Sequence, residues 1–279
     1  MKIAFYREYG AKKEIGMGHF YRSKTISEAL KRKGHNISFI DDGILTNDVQ
    51  VLIIDHISSQ NSLILQAKSA GMKIVLIDGA EEDVSLADLS ISAFFNKSSQ
   101  YKGIKYVVVP YHYSTDRYRP YKKNKSILIS MGGYDANNYA ELILDVLDEL
   151  GLNAIVTKSI NHQDLKTKYP RIEIFDEEDY YVPMNECIIG IVNGGLTLFQ
   201  GLYYGLPCLA IPQYEHQKWN IEGVSHCCVP TEPNKDDIKD KIKWLLDSEY
   251  LRESMSKLAQ YWVDGKGTAR VCDLVEGLK

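Results

Sequence analysis

What most limits the fold of this chain is a recurring unit: a short, continuous apolar run that stops at glycine, aspartate or asparagine and gives way to helical periodicity. KIAFY at 2–6, VLII at 51–54, KIVLI at 73–77 and ILI at 127–129 are such runs, as are CIIGIV at 187–192 and PCLAI at 207–211. Strands that are apolar at every position belong to parallel sheets covered on both faces. The covering layers are predicted as helices over 20–33, 62–70, 139–150, 196–204, 238–246 and 251–261. This alternation predicts an α/β chain with doubly wound sheets.

The pattern breaks once, at YHYSTDRYRPYKKNK over 111–125, which is polar, basic and aromatic without period. That stretch is predicted to link two Rossmann-like domains, 1–118 and 119–279, facing a cleft. Its residues Arg117, Arg119, Lys122, Lys123 and Lys125 read as a solvated linker, with an acidic glycan or lipid phosphate as the alternative. His112, between Tyr111 and Tyr113, reads either as packing or as a cleft residue.

Composition removes several classes. Of the 279 residues 44% are hydrophobic and 25% charged, as in ordinary globular proteins, so disordered and fibrous chains drop out. A net charge of −4, from 33 Lys and Arg against 37 Asp and Glu, argues against a nucleic-acid binder. The first apolar run is too short for a signal sequence and no stretch reaches the length of a membrane span, so a cytoplasmic protein without stable membrane insertion is expected. Cys187, Cys208, Cys227, Cys228 and Cys272 form no C-x-x-C pair and read as reduced, buried thiols. No long heptad specifies an oligomeric state.

Three glycine-rich turns carry the chemistry. Gly16-Met17-Gly18-His19-Phe20-Tyr21-Arg22 follows the first strand and opens a helix, where backbone N–H groups and the helix dipole favour negative charge. The G-x-G-x-x-G fingerprint is incomplete, although Asp41 or Asp42 lies at the spacing of a dinucleotide ribose ligand. His19 has two readings: a base kept neutral by the dipole, or a capping or exposed residue. Arg22 is an anion clamp or a surface charge, and His56 beside Asp55 is a polar ligand or a strand terminator.

The second turn is Ser130-Met131-Gly132-Gly133. The third, Asn193-Gly194-Gly195-Leu196-Thr197, again joins strand to helix and sets Gln200 on the face of Thr197. Its amides and hydroxyl suit a diphosphate; the bland alternative is a helix cap by Thr197. Gln217 and Asn220 form a second helical i, i+3 pair beyond a strand end.

Together, GMGHFYR, LIIDH at 52–56, ISMGG at 129–133, NGGLT at 193–197, GLPCLAIP and HQKWN resemble the nucleotide-sugar hydrolases of the pseudaminic-acid pathway, PseG. The chain also resembles the related spore-coat polysaccharide proteins and, more distantly, the MurG glycosyltransferases, all of GT-B architecture. The resemblance implies that UDP is held in the second domain by Gly194, Gly195, Thr197, Gln200, Gln217 and Asn220. It implies His19 as the base for metal-independent release of UDP and free sugar, with Asp55 orienting or supporting it. Gly16, Gly18, Arg22, His56, Gly132 and Gly133 would then contact substrate. No cofactor is implied, and the chain has no Asp-x-Asp motif to carry a metal. The alternatives are a UDP-sugar glycosyltransferase acting on a glycan or lipid-linked acceptor, and a non-catalytic binder, the latter marked by a buried His19.

Four departures from the family pattern bear on the sugar and the nucleotide. Gln200 stands where relatives usually carry Glu, and Asp78-Gly79 where Asp-Asp is common. Ile91-Ser92-Ala93 replaces Asn-x-Asn, and Pro110-Tyr111-His112-Tyr113-Ser114 replaces Gly-x-x-Tyr-Ala-Leu. Gln200 predicts a changed nucleotide affinity or base preference, and the other three predict a changed sugar or acceptor.

Overall fold

A computed structural model describes residues 1–7, 18–40, 48–56, 58–95, 97–109, 126–159, 165–175 and 181–278. The chain separates into two compact units, Met1–Ser114 with Gly265–Lys279, and Thr115–Asp264. Gly16, Asp41, Asp42, residues 110–125 and the basic and His112 readings made on them lie outside the described residues.

The first unit runs β1 (Lys2–Arg7), α1 (Gly18–Arg32), β2 (Asn36–Ile40), β3 (Val51–Asp55), α2 (Asn61–Ser69), β4 (Lys73–Ile77), β5 (Leu89–Ser92) and β6 (Tyr101–Lys102). The strands are parallel, in the order β2-β1-β3-β4-β5-β6. The apolar runs are buried on both faces: Ile3, Phe5, Val51, Ile53 and Val75 belong to one core, and Ala4, Leu52, Ile54, Ile74 and Leu76 to the other. Strand order reverses between β1 and β3, and open α/β sheets collect ligands at the carboxyl ends of the strands beside such a switch.

The second unit runs β7 (Ile127–Ser130), α3 (Tyr139–Glu149), β8 (Ala154–Thr157), α4 (Leu165–Lys168), β9 (Ile172–Phe175), α5 (Tyr181–Glu186), β10 (Ile189–Val192), α6 (Leu196–Tyr204), β11 (Cys208–Ala210), α7 (Glu215–Gly223), β12 (Val229–Pro230), α8 (Lys235–Asp247) and α9 (Glu249–Trp262). Its parallel order β12-β11-β10-β7-β8-β9 is the doubly wound Rossmann order, with the switch between β7 and β10. The glycine turns 131–133 and 193–195 leave those two strands.

The last helix, α10 (Gly267–Glu276), corrects the expected boundary, which gave all of 119–279 to the second domain. Val271, Cys272 and Val275 join the core of the first sheet beside Ile26 and Leu30 of α1. Thr268 Oγ1 donates to the carbonyl of Val109 at 2.9 Å. At the far end Lys33 bonds Asp273 and Glu276, both at 2.7 Å, and His35 Nε2 lies 2.7 Å from Glu276. An apolar stripe with a charged rim attaches the helix where its face is complementary, whatever its place in the sequence. All five cysteines are buried, and none is in a disulfide.

Candidate active site

In the first unit β1 leads to α1, whose first turn carries His19 and whose next turn carries Arg22 on the same face. Both meet Asp55, the last residue of β3. His19 Nδ1 lies 2.5 Å from Asp55 Oδ1. Arg22 grips the same carboxylate twice, through Nε to Oδ2 at 2.9 Å and through Nη2 to Oδ1. Ser23 Oγ donates to Oδ2 at 3.1 Å. Arg22 Nη2 also stands 3.0 Å from His19 Nδ1, but the nearer neighbour is the Asp55 carboxylate, which can only accept, so the Nδ1 hydrogen is assigned towards the carboxylate. The lone pair then resides on Nε2, which has no hydrogen-bond partner among the described residues.

Arg22 is neither of the things expected of it. It is 4% exposed, and its Nη1 donates to Asp78, which follows β4. Two carboxylates occupy the guanidinium, which turns it inward. Burial works against the Arg22 charge, but Asp55 and Asp78 outweigh it and push the guanidinium further towards protonation. Burial likewise opposes the Asp55 charge, and Arg22 followed by His19 overcomes it, holding this carboxyl well below the usual range. Asp78 Oδ1 accepts from Ser92 Oγ and, at 3.1 Å, from the backbone N–H of Ala93.

The helix dipole is therefore only half of the field at His19, because the Asp55 carboxylate faces Nδ1. His19 is 9% exposed. Gly18 is the first residue of α1. His56, one residue beyond Asp55, stacks on Tyr6 with ring centroids 5.7 Å apart and accepts at Nδ1 from the N–H of Ser58 at 3.2 Å. It stays outside the Asp55 group, since adjacent residues leave a strand on opposite faces.

In the second unit Gly132 has φ +83°, and a Cβ there would stand 2.8 Å from Asn193 Nδ2. Glycine lets the two turns meet: Asn193 Nδ2 donates to the carbonyl of Met131 at 2.8 Å, and Asn193 Oδ1 accepts from the N–H of Gly195 at 3.1 Å. Gly133 follows, half-buried. Gly194 has a packing reason, because a Cβ would come 2.6 Å from the Gln217 carbonyl on α7. Asn220 Nδ2 donates to the Gly194 carbonyl at 3.0 Å.

Helix α6 begins after Gly195 without a side-chain cap, so Thr197 is not the cap that the bland reading made it. Around that uncapped end, the Thr197 hydroxyl and Gln217 Nε2 have no hydrogen-bond partner among the described residues. Both residues are at least nine-tenths buried. Asn220 Oδ1, wholly buried, also lacks one. Gln217 Oε1 is committed to the N–H of Gln213 at 2.9 Å. Gln200 is half-buried, again with no such partner among the described residues.

Sequence reading did not select Asp78, Ser23, Ser92, Asn193 or Gln213 as site residues. Gln213 ties the turns together, donating from Nε2 to the Met131 carbonyl at 2.6 Å and accepting at Oε1 from the N–H of Ala136 at 2.7 Å. The available signal was position: Asp78 and Asn193 each directly follow a strand run. Among the described residues no group of three or more His, Cys, Asp or Glu could hold a metal ion. Among the same residues no helix is long and apolar enough to cross a membrane.

These two units define a protein of the GT-B fold. It is similar to the spinosyn forosaminyltransferase SpnP, with a TM-score of 0.72 at 14% identity over 100% of this chain and 99% of that one. It is similar to S. aureus MnaA, solved with UDP, with a TM-score of 0.65 at 16% identity over 99% and 96%. No protein-family model matches the chain. In sequence it is similar to the spore coat polysaccharide biosynthesis protein SpsG of Bacillus subtilis (strain 168), 21% identical across 100% of this chain and 98% of that protein. The likeness to SpsG runs the length of both chains.

Proposed function

We propose that this chain is a metal-independent hydrolase of a UDP-linked amino sugar, acting in nonulosonic-acid or surface-glycan synthesis. The observation that carries this reading is His19, oriented through Nδ1 by a buried carboxylate and left with its Nε2 lone pair free of partners among the described residues. That is the arrangement of a general base. Nε2 takes a proton from water as its oxygen bonds to the anomeric carbon. The bond from that carbon to the diphosphate oxygen breaks, and UDP leaves with the electron pair. The second unit holds the nucleotide at the uncapped end of α6, where Thr197, Gln217 and Asn220 keep unmet hydrogen-bonding capacity. The UDP-bound state of MnaA supports the nucleotide, and the spore-coat polysaccharide role of SpsG supports a polysaccharide setting. The reading places the reaction in the cytoplasm.

Two other readings have an observation each. SpnP, a transferase of the same fold, favours transfer to a glycan or lipid-linked acceptor instead of water. The 9% exposure of His19 favours a binder that does no chemistry. The deciding experiment incubates the protein with a panel of UDP-N-acetyl and diacetamido-trideoxy sugars, with EDTA and no acceptor, and follows release by NMR. UDP plus free sugar is expected. Tight UDP binding without turnover, followed by transfer once an acceptor is added, would make it a transferase. Binding with neither would make it a binder.

A further inference from the structure

Three loops leave the carboxyl ends of β7, β10 and β11 in the second unit, and they meet at one atom, the carbonyl oxygen of Met131. Asn193 Nδ2, from the loop after β10, donates to it at 2.8 Å. Gln213 Nε2, from the loop after β11, donates to it at 2.6 Å. A carbonyl oxygen has two lone pairs, so both are taken. The other end of the Gln213 side chain is used as well, since Oε1 accepts from the N–H of Ala136 at 2.7 Å. Its backbone carbonyl accepts from Asn137 Nδ2 at 3.3 Å, and its N–H donates to Gln217 Oε1 at 2.9 Å.

These bonds settle which way two side-chain amides point. A backbone carbonyl only accepts and a backbone N–H only donates, so the Gln213 amide has one satisfactory orientation. The same holds for Gln217, whose Oε1 has to face the Gln213 N–H and so turns Nε2 the other way. That nitrogen lies beside the uncapped end of α6, where a Cβ on Gly195 would stand 3.9 Å from it. A donor already held in its bound orientation loses little freedom when a ligand arrives.

We propose that Gln213 is a positioning residue of the nucleotide site: by latching the loop after β11 to the loop after β7, it holds the Gln217 NH2 group ready to donate to a diphosphate oxygen at the end of α6. Its own side chain is spent on Met131 and Ala136, so its effect runs through Gln217. The inference rests on the reading of α6 as the end that binds UDP, and not on the hydrolase reaction.

The test is a double-mutant cycle read by calorimetry of UDP binding, with wild-type protein, Gln213→Met, Gln217→Ala and the double variant. Met keeps the length of the side chain and removes both of its hydrogen bonds. Each single variant is expected to weaken UDP about tenfold, as for one lost hydrogen bond to a charged group. The double variant is expected to lose about tenfold as well, because the two residues act as one unit. A loss of about a hundredfold in the double variant, the product of independent effects, overturns the proposal. So does an unchanged Kd in folded Gln213→Met.

A second readout needs no ligand. NMR relaxation of the Gln217 side-chain NH2 group, assigned with Gln217→Ala, is expected to give a lower order parameter in Gln213→Met than in the wild-type protein. Equal order parameters overturn the latch. Gln213→Glu, which keeps the acceptor for Ala136 but sets an oxygen against the Met131 carbonyl, is expected to lower it too. Failure of both Gln213 variants to fold makes Gln213 a structural residue and overturns the proposal. If the wild-type protein binds no UDP, the nucleotide reading fails and this inference with it. If the cycle behaves as expected but no nucleotide sugar is hydrolysed, the hydrolase reading fails and the latch stands. Hydrolysis with an additive cycle gives the reverse.

Discussion

His19 and Asp55, 36 positions apart, meet at 2.5 Å because α1 starts beside the carboxyl end of β1 and β3 ends next to it. The strand switch thus brings a titratable ring to a carboxylate that fixes its tautomer. His19→Ala is expected to lower turnover by about 10² or more, with UDP affinity unchanged by calorimetry. Equal rates for the two proteins would end the assignment of His19 as base.

Asp55→Asn keeps the shape but puts an NH2 donor where one of two accepting oxygens stood, which no longer selects the Nδ1–H tautomer, and it leaves Asp78 as the one carboxylate on Arg22. Turnover is expected to fall by roughly 10² to 10⁴. Steady-state kinetics on a variant shown by circular dichroism to be folded checks it.

At Gly194 an added methyl group would stand 2.6 Å from the Gln217 carbonyl, so Gly194→Ala has to push α6 away from α7. A loss of about 1–3 kcal/mol in urea denaturation is expected. UDP binding should weaken as well, since Thr197 and Gln217 move apart.

Gln200→Glu restores the ionised acceptor usual in relatives. Charge-assisted hydrogen bonds are about twice as strong as neutral ones, so UDP should bind roughly fivefold tighter with kcat unchanged. An unaltered Kd would show that the side chain does not reach the ribose.

The attachment of α10 carries its own pH dependence. Lys33, then His35, hold the Glu276 carboxyl down to about 2. A depressed carboxyl stabilises the folded state above its ordinary range and loses that effect as pH falls towards its folded value. Wild-type protein should therefore exceed Glu276→Gln in Tm at pH 6, with the gap closing between about pH 5 and pH 2. A gap that persists at pH 2 would refute the clamp.

Much of the fold was legible because continuously apolar strands leave few alternatives: 73–77 and 196–204 were read to the residue. Strand β5 was not read, since its serines Ser90 and Ser92 interrupt the apolar run. Helix α10 was missed for a different reason. Its stripe of Val271, Cys272 and Val275 is short, and nothing local says which sheet it covers. At the site, turn and strand-end position was enough to single out His19, Arg22 and Asp55, though not to separate His56 from Asp55. It was not enough to foresee that Arg22 would spend its charge on two carboxylates, because Asp78 arrives from 56 residues away.

The return of α10 to the first unit also fixes an order of events during synthesis. Residues 115–264 are contiguous, so the second unit has its whole core once they have left the ribosome. The first unit, begun earlier, lacks Val271, Cys272 and Val275 until α10 emerges, and Ile26 and Leu30 stay uncovered on their outer side until then. Of the two units the one begun earlier is thus the one completed later, and during that interval its exposed apolar seam is open to aggregation or chaperone capture.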